Sequence, residues 1–387
     1  MTAATIFLVA LCLRPAITSV GPLLPQISAD QHLGEAASGM LGALPLLAFA
    51  LVSPQVHRVA GRHGAERAVF GALLVLAAGG AVRSYTGDAG LWIGTLVIGC
   101  AIAVGNVLVP AIVKRDYASN VSRATGVYTA FITIGASVAS ALAVPIADAV
   151  DWRLSLAVWS GLALLIAVVW LPRARPRPVP AAAGGPIGSV NVWRQRRAWF
   201  ITAFMGLQST SFYILVTWLP TIEIAGGVTE RTAGVHLFLF QGMGILGGLA
   251  IPILLRHPGR RSLGAVVAGV PTLAAILGLL AVPELAVLWA GVAGVGQGAS
   301  LVTALTLISL GGRTQAETTR LSGMAQSLGY LLAAAGPVAA GLLAERTGAW
   351  QASLVLVVVL SVLQLVAGAA AGRDRTAFQH PARSAAT

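Results

Sequence analysis

Charged residues are scarce in this sequence. Of its 387 residues, 10% are charged and 57% are hydrophobic, which is more apolar surface than the core of one water-soluble domain can hide. The apolar runs are also continuous, without the polar alternation of membrane β-strands. A chain that crosses a bilayer must satisfy its backbone hydrogen bonds internally, and continuous apolar runs do so as helices. The sequence therefore predicts an all-α membrane protein.

Cysteine is almost absent. Cys12 and Cys100 are the only two, and both fall inside apolar segments, so neither a disulfide framework nor a zinc site is expected. The phosphate-binding pattern G-x-x-x-x-G-K-[ST] does not occur, which excludes ATP hydrolysis by a P-loop. We therefore expect no metal and no cofactor, and we expect a secondary carrier or a facilitator if the chain moves solutes.

Twelve apolar segments are long enough to span a bilayer. Their predicted bounds are 4–27, 37–56, 67–84, 90–113, 124–147, 152–171, 198–220, 233–255, 262–282, 285–308, 321–343 and 348–371.

The basic residues predict the orientation. The net charge is +12, but the arginines and lysines concentrate in short loops, so nucleic acid is not an expected partner. Alternate loops and the C-terminal tail carry 20 of the 25 basic residues and only four acids. These loops are predicted to be cytoplasmic, which places the chain in the cytoplasmic membrane with both termini inside. The opposite loops are predicted to hold nine acids, including Glu223, and four arginines, including Arg83.

The longest interruption between apolar segments, residues 172–197, is rich in proline and arginine. Such a composition is typical of a linker. The predicted organisation is a first six-helix bundle over 1–171, a cytoplasmic linker over 172–197, a second bundle over 198–372 and a cytoplasmic tail over 373–387.

The two bundles carry matching residues at an offset of 198. Pro54, Arg58, Gly61 and Arg62 follow the second segment, and Pro252, Arg256, Gly259 and Arg260 follow the eighth. Trp152, Ser155 and Leu156 open the sixth segment, and Trp350, Ser353 and Leu354 open the twelfth. Matches in the same order along both halves predict an internal duplication.

Parallel six-helix repeats joined by a cytoplasmic linker occur in one large transporter class. Over nearly its whole length the chain resembles the major facilitator superfamily. Within it, "LRPAITSVGPLLPQI" and "GNVLVPAIVKRDY" resemble the cyanate permease and 2-nitroimidazole exporter family. The resemblance implies twelve helices in two repeats, a substrate site at the midplane between them and alternating access. It also implies gating loops at Arg58, Gly61 and Arg62 and at Arg256, Gly259 and Arg260.

Arg14 lies about ten residues inside the first apolar segment. A guanidinium at this depth costs at least about 2.5 to 3.5 kcal/mol on insertion scales, so it is expected to face a cavity or a partner. No acid is predicted within any span, and we therefore expect a bound anion as the partner. Pro15 loosens the helix here, and Thr18 shares the same face. The alternative is that Arg14 donates only to carbonyls of a neighbouring broken helix.

Other polar residues at similar depth are candidate substrate contacts. The family resemblance implies that the first, fourth, seventh and tenth helices line the cavity, which favours Asn106, Gln208 and Gln297. A hydrogen bond between two helices is an equally good interpretation of each amide. The full set of candidates is Arg14, Thr18, Asn106, Gln208, Ser211, Gln241 and Gln297, with Tyr128, Tyr213 and Tyr330 as possible walls of the cavity.

The predicted absence of a buried carboxylate argues against proton coupling through such a group. Against a negative interior, expelling a monovalent anion is downhill by roughly 2.3 kcal/mol per 100 mV, whereas importing one is uphill by as much unless a proton or an exchanged anion accompanies it.

The leading hypothesis is a monomeric carrier for a small anion or a polar nitrogen compound. The alternatives are an efflux carrier for neutral drugs or metabolites and a membrane sensor that binds without transport. An intramembrane enzyme is not expected, because such an enzyme needs a nucleophile and a base at depth.

Overall fold

Twelve long helices make up the fold of the computed structural model, which describes residues 4–117, 121–174, 192–312 and 315–373. Each helix is long and apolar enough to cross a membrane, which confirms the twelve predicted spans. They are α1 Thr5–Gln31, α2 Glu35–Gln55, α3 Ala65–Tyr85, α4 Gly87–Asp116, α5 Ala124–Ala149, α6 Trp152–Arg173, α7 Arg196–Ala225, α8 Glu230–Leu255, α9 Arg261–Ala281, α10 Pro283–Ser309, α11 Arg320–Thr347 and α12 Gln351–Gly372.

The first span is not a continuous helix. It consists of three helical pieces, Thr5–Cys12, Pro15–Thr18 and Val20–Gln31. Pro15 has no N–H to donate, so the hydrogen-bond ladder is interrupted in front of it. Arg14 occupies the break with φ −126° and ψ −33°. The local sequence thus places the arginine at a non-helical position in mid-span.

The internal duplication is visible in matching hydrogen bonds. The Ser155 hydroxyl of α6 donates to the Ala143 carbonyl of α5 at 2.7 Å. In the second half, the Ser353 hydroxyl of α12 donates to the Ala340 carbonyl of α11 at 2.6 Å. The same side chain therefore ties the same pair of helices together in each repeat. We call α1–α6 the N-terminal half and α7–α12 the C-terminal half.

The two halves are joined by polar contacts at the end of the molecule where α1 ends and α2 begins, which we call the acidic end. Arg231 of α8 pairs with Asp148 of α5 at 3.0 Å. The Gln26 amide of α1 donates to Glu230 at 2.7 Å. The Glu345 carboxylate of α11 accepts from the Ala36 backbone N–H of α2 at 3.1 Å. All three contacts close the acidic end.

The opposite end, where α2 ends, is here called the basic end. Ion pairs at this end bind helices of the N-terminal half to one another. Arg115 of α4 pairs with Glu66 of α3 at 2.6 Å, and Arg173 pairs with Asp116. These pairs stabilise the N-terminal half.

Two charged residues assigned to loops from the sequence are instead buried in helices. Arg83 lies in α3 and is 2% exposed, and Glu223 lies in α7 and is 3% exposed. The prediction that Arg14 alone is charged within the spans is therefore wrong. Both residues lie within three positions of a helix end, where hydropathy does not distinguish a buried residue from one in a loop.

The predicted loop after α2 is mostly a short helix, Val56–His63. Most of the predicted linker (175–191) and nearly all of the tail (374–387) fall outside the described residues, so the predicted domain boundaries stay predictions.

Candidate substrate site

Arg14 points from the break in α1 toward the C-terminal half. Its Nη1 donates a hydrogen bond to the Tyr213 hydroxyl of α7 at 2.8 Å. Its guanidinium carbon lies 5.8 Å from the ring centroid of Phe212 and 5.8 Å from that of Tyr213, within the range of a cation–π contact. The cation therefore sits at the interface of the halves and does not point into lipid.

Two further tyrosines surround the guanidinium. Tyr128 of α5 and Tyr330 of α11 both lie close enough to Arg14 to interact with it electrostatically. Tyr330 packs edge-on against Phe49 of α2, with 5.4 Å between ring centroids. The three tyrosines proposed from the sequence as cavity walls thus converge on Arg14, and they come from both halves.

Arg14 has no carboxylate partner among the described residues. Its side chain is partly buried, and its one recorded hydrogen bond goes to a neutral phenol. A guanidinium has five N–H donors in a planar fork, which suits the two oxygens of an oxyanion. The arrangement can therefore accept negative charge from a small molecule while the aromatic rings exclude water.

Thr18 and Gln241 meet at a backbone carbonyl and not at the guanidinium. The Thr18 hydroxyl is 3.1 Å from the Ala136 carbonyl of α5 and 3.2 Å from the Arg14 carbonyl. The Gln241 amide of α8 donates to the same Ala136 carbonyl at 3.2 Å and to the Ser140 hydroxyl at 2.6 Å. These contacts tie α1, α5 and α8 together.

The candidate amides and the candidate serine of α7 and α10 have no recorded side-chain hydrogen bond to the N-terminal half among the described residues. The Gln208 amide donates to the Ser209 hydroxyl at 2.7 Å within α7. Ser211 and Gln297 are buried, and none of their side-chain polar atoms has a hydrogen-bond partner in the described part of the chain. No recorded contact joins these three residues to Arg14.

Asn106 of α4 is partly buried. Its neighbour Gly105 packs directly against the Leu13 side chain, which places Asn106 beside the residue that precedes Arg14.

The predicted gating residues all lie exposed at the basic end. Arg58, Gly61 and Arg62 lie on the short helix after α2, whereas Gly259 and Arg260 lie on a single 3-10 turn between α8 and α9 and Arg256 directly precedes it.

Two residues near Arg14 were not singled out from the sequence. Phe212 places its ring beside the guanidinium, and its position next to Tyr213 was the available signal. Arg83 of α3 donates from Nη1 to the Ala16 carbonyl at 2.6 Å, and its Nε and Nη2 have no partner among the described residues. Arg83 thus holds the broken segment of α1 at the Ala16 carbonyl, and nothing in its sequence neighbourhood indicates this.

Comparison with known proteins identifies the family to which this fold belongs. The chain matches the family model described as Major Facilitator Superfamily over residues 6–334. It is 39% identical over 375 residues to the 2-nitroimidazole transporter of Escherichia coli (strain K12), covering 96% of this chain and 95% of that one.

The cyanate transport protein CynX of the same organism is 28% identical over 369 residues, with 92% and 94% covered. Among solved structures, a point mutant of the nucleoside transporter NupG superposes with a TM-score of 0.78 at 14% identity, covering 96% of this chain and 100% of that one. The resemblance seen in the sequence is confirmed: the chain belongs to the Major Facilitator Superfamily, as a multi-pass membrane transporter of a small solute.

Proposed function

We propose that this transporter moves a small anionic or polar nitrogen-containing solute across the cytoplasmic membrane by alternating access, with Arg14 as the principal anchor. The observation that carries the proposal is the Arg14 guanidinium at the interface of the halves, without a carboxylate partner in the described part of the chain. The relatives named for 2-nitroimidazole and cyanate support a compact, electron-rich substrate of this class.

Each group around Arg14 has a role in this proposal. The guanidinium binds the negative or electron-rich end of the solute through its free donors. The Tyr213 hydroxyl, 2.8 Å from Nη1, orients the guanidinium. Tyr128, Tyr330 and Phe212 wall the site and stack on a planar solute. Asn106, Ser211 and Gln297 remain candidate contacts for other conformations, and Thr18, Gln208 and Gln241 are proposed to position helices.

The contacts between the halves at the acidic end close the site on that side in this conformation. With the basic residues and both termini on the cytoplasmic side, as the charge distribution predicts, the described conformation is closed toward the outside. In alternating access, the contacts at the acidic end break while contacts between the halves form at the basic end.

The test is binding and counterflow of radiolabelled cyanate and radiolabelled 2-nitroimidazole with purified protein in proteoliposomes. Arg14→Ala removes a charged hydrogen-bond donor, worth about 1.5–3 kcal/mol, so cyanate affinity is expected to fall by roughly ten- to a hundredfold. Arg346→Ala, which removes an exposed arginine at the acidic end, is the matched control and is expected to bind like the wild type. Wild-type affinity in Arg14→Ala would reject the anchor role.

A carrier for neutral compounds is the second candidate, because the Phe212 and Tyr213 rings both lie within cation–π distance of the guanidinium and could also stack on an uncharged planar solute. Saturable counterflow of 2-nitroimidazole with no binding of cyanate would favour it. Binding of either probe without counterflow would instead identify a sensor.

A further inference from the structure

Glu223 and His236 form a buried acid–base pair in the C-terminal half. The Glu223 side chain has no exposed surface and that of His236 is 10% exposed, and His236 Nδ1 lies 2.9 Å from Glu223 Oε2. Glu223 Oε1 has no hydrogen-bond partner among the described residues. The pair joins α7 to α8 near the acidic end, and the substrate site described above does not use it.

Four of the other charged groups at this end have recorded partners that are neither Glu223 nor His236. Helices packed against α7 carry these charged residues at the acidic end: Asp30, Glu35, Glu230, Arg231, Glu284, Glu345 and Arg346. Asp30 pairs with Arg153, Arg231 with Asp148, Glu230 with Gln26 and Glu345 with the Ala36 N–H. None of these four contacts involves Glu223 or His236, whose recorded partners are each other. The net charge of the pair therefore depends on the number of protons that it holds.

Because the pair is buried, the number of protons that it holds has a large effect on the free energy of the folded protein. With one proton the pair is neutral overall, either as imidazolium and carboxylate or as two neutral groups. Without that proton it carries a net negative charge away from water, which is costly in a protein interior. The pair therefore favours the proton-loaded form while it is buried, and it releases the proton most readily when a conformational change admits water.

A cavity large enough for water lies beside the pair. A cavity of about 370 Å³ lies at the acidic end of the C-terminal half, and Ile222, Glu223, Leu279 and Trp350 are among the residues that line it. This volume accommodates several water molecules at roughly 30 Å³ each. Protons can therefore arrive from the acidic end beside Glu223.

The same helix carries the pair and part of the substrate site. Glu223 lies ten residues after Tyr213 on α7, about 15 Å along a helix with a rise of 1.5 Å per residue. Tyr213 bonds to Arg14 across the interface of the halves. A change in the attachment of α7 to α8 at Glu223 therefore acts on the helix that orients the substrate anchor.

We infer that the Glu223–His236 pair is a proton-binding site, and that its proton crosses the membrane together with an anion held at Arg14. The inference rests on the proposed function. Movement of a proton with a monovalent anion is electrically neutral, which removes the opposing roughly 2.3 kcal/mol per 100 mV of membrane potential. Glu223 is a carboxylate buried within a span, so the predicted absence of such a group no longer speaks against proton coupling.

The test separates coupling from transport in proteoliposomes. Counterflow of radiolabelled cyanate is measured at equal pH on both sides, and initial uptake is measured with an acidic exterior, after subtraction of entry into protein-free liposomes. In the wild type the gradient is expected to raise initial uptake several-fold. Glu223→Gln is expected to lose this stimulation and to keep counterflow near the wild-type rate. Glu284→Gln, which neutralises an exposed acid at the same end, is the matched control and is expected to retain both.

Retention of the stimulation in Glu223→Gln, or wild-type counterflow that no proton gradient accelerates, overturns the coupling and leaves the proposed function standing. Absence of cyanate counterflow in the wild type overturns the anion carrier, and the coupling with it. If Glu223→Gln does not fold, His236→Gln replaces the imidazole ring by an amide that can still donate to Glu223. It is expected to lose the stimulation as well, and a wild-type response to the gradient in this variant overturns the inference.

Discussion

At the scale of single residues, the neutral partner of Arg14 is the informative feature. A carboxylate at the position of the Tyr213 hydroxyl would neutralise the cation permanently, whereas a phenol holds its orientation and leaves its charge available. Hydrogen bonds to charged groups contribute about 1.5–3 kcal/mol each. The Tyr213 hydroxyl, 2.8 Å from Nη1, is therefore strong enough to orient the guanidinium.

Tyr213→Phe is expected to lower cyanate affinity about tenfold, equivalent to about 1.4 kcal/mol, because the guanidinium loses its orienting acceptor while the ring remains. Isothermal titration of purified protein with cyanate measures the change. Tyr85→Phe, which removes the hydroxyl of an exposed tyrosine on α3, is the control. Unchanged affinity in Tyr213→Phe would show that this hydroxyl does not position Arg14.

Sequence reasoning identified Arg14 from the conflict between its charge and its surroundings, and the tyrosines from their depth in the spans. It did not indicate that Thr18 and Gln241 share the Ala136 carbonyl, because the direction of a side chain depends on how each helix is rotated against its neighbours. Arg83 and Glu223 were misplaced for a related reason. Hydropathy averages over a window, and the last turn of a helix is buried or exposed according to what packs beside it.

At the scale of helices, the close contact between α8 and α10 depends on glycines, which have no side chain to keep the two backbones apart. A Cβ added to Gly298 would collide with the Gly244 carbonyl oxygen, and one added to Gly247 would collide with that of Val295. Small residues on both sides let the two backbones touch, which is a common way for helices to associate in membranes. Which glycines meet depends on how the two helices are rotated against each other, and the structure supplies that rotation.

Gly298→Ala is expected to destabilise the C-terminal half by about 1–3 kcal/mol, because the neighbouring backbone must shift to admit the methyl group. Thermal unfolding in detergent, followed by tryptophan fluorescence, measures the loss. Gly291→Ala on the same helix is the control, since a Cβ there would meet only the Met243 side chain at 3.8 Å. Equal unfolding temperatures for the two variants would contradict the close contact.

At the scale of the whole molecule, the described conformation is closed at the acidic end by tight packing as well as by ion pairs. Exposed ion pairs such as Arg231–Asp148 contribute at most about 1 kcal/mol. Packing at this end is tighter: a Cβ added to Gly39 of α2 would collide with the Pro337 carbonyl of α11. The duplication and the twelve spans were predictable from the sequence, but which end is closed is a property of the packed interface, and no single segment encodes it.

Gly39→Val is expected to shift the population away from the closed acidic end, because its side chain cannot fit against Pro337. Electron–electron double resonance between spin labels at the exposed residues Val150 and Leu285 measures the shift, after Cys12 and Cys100 are replaced by alanine. The distribution should lengthen by several ångströms. Gly71→Val on α3 is the control, as a Cβ there would meet nothing within 4 Å. An unchanged distribution in Gly39→Val would show that this contact does not govern closure.

The Ala136 carbonyl accepts hydrogen bonds from side chains of both halves: the Thr18 and Ser140 hydroxyls donate to it from the N-terminal half, and the Gln241 amide donates to it from the C-terminal half. Gln241 belongs to the C-terminal half and must withdraw when α5 and α8 separate, whereas Thr18 belongs to the same half as Ala136 and travels with it. A carbonyl left bare in the membrane interior would add to the barrier of every turnover. Because the Thr18 and Ser140 hydroxyls belong to the same half as this oxygen and can keep their bonds to it, the two halves can part at this point without stranding a backbone acceptor.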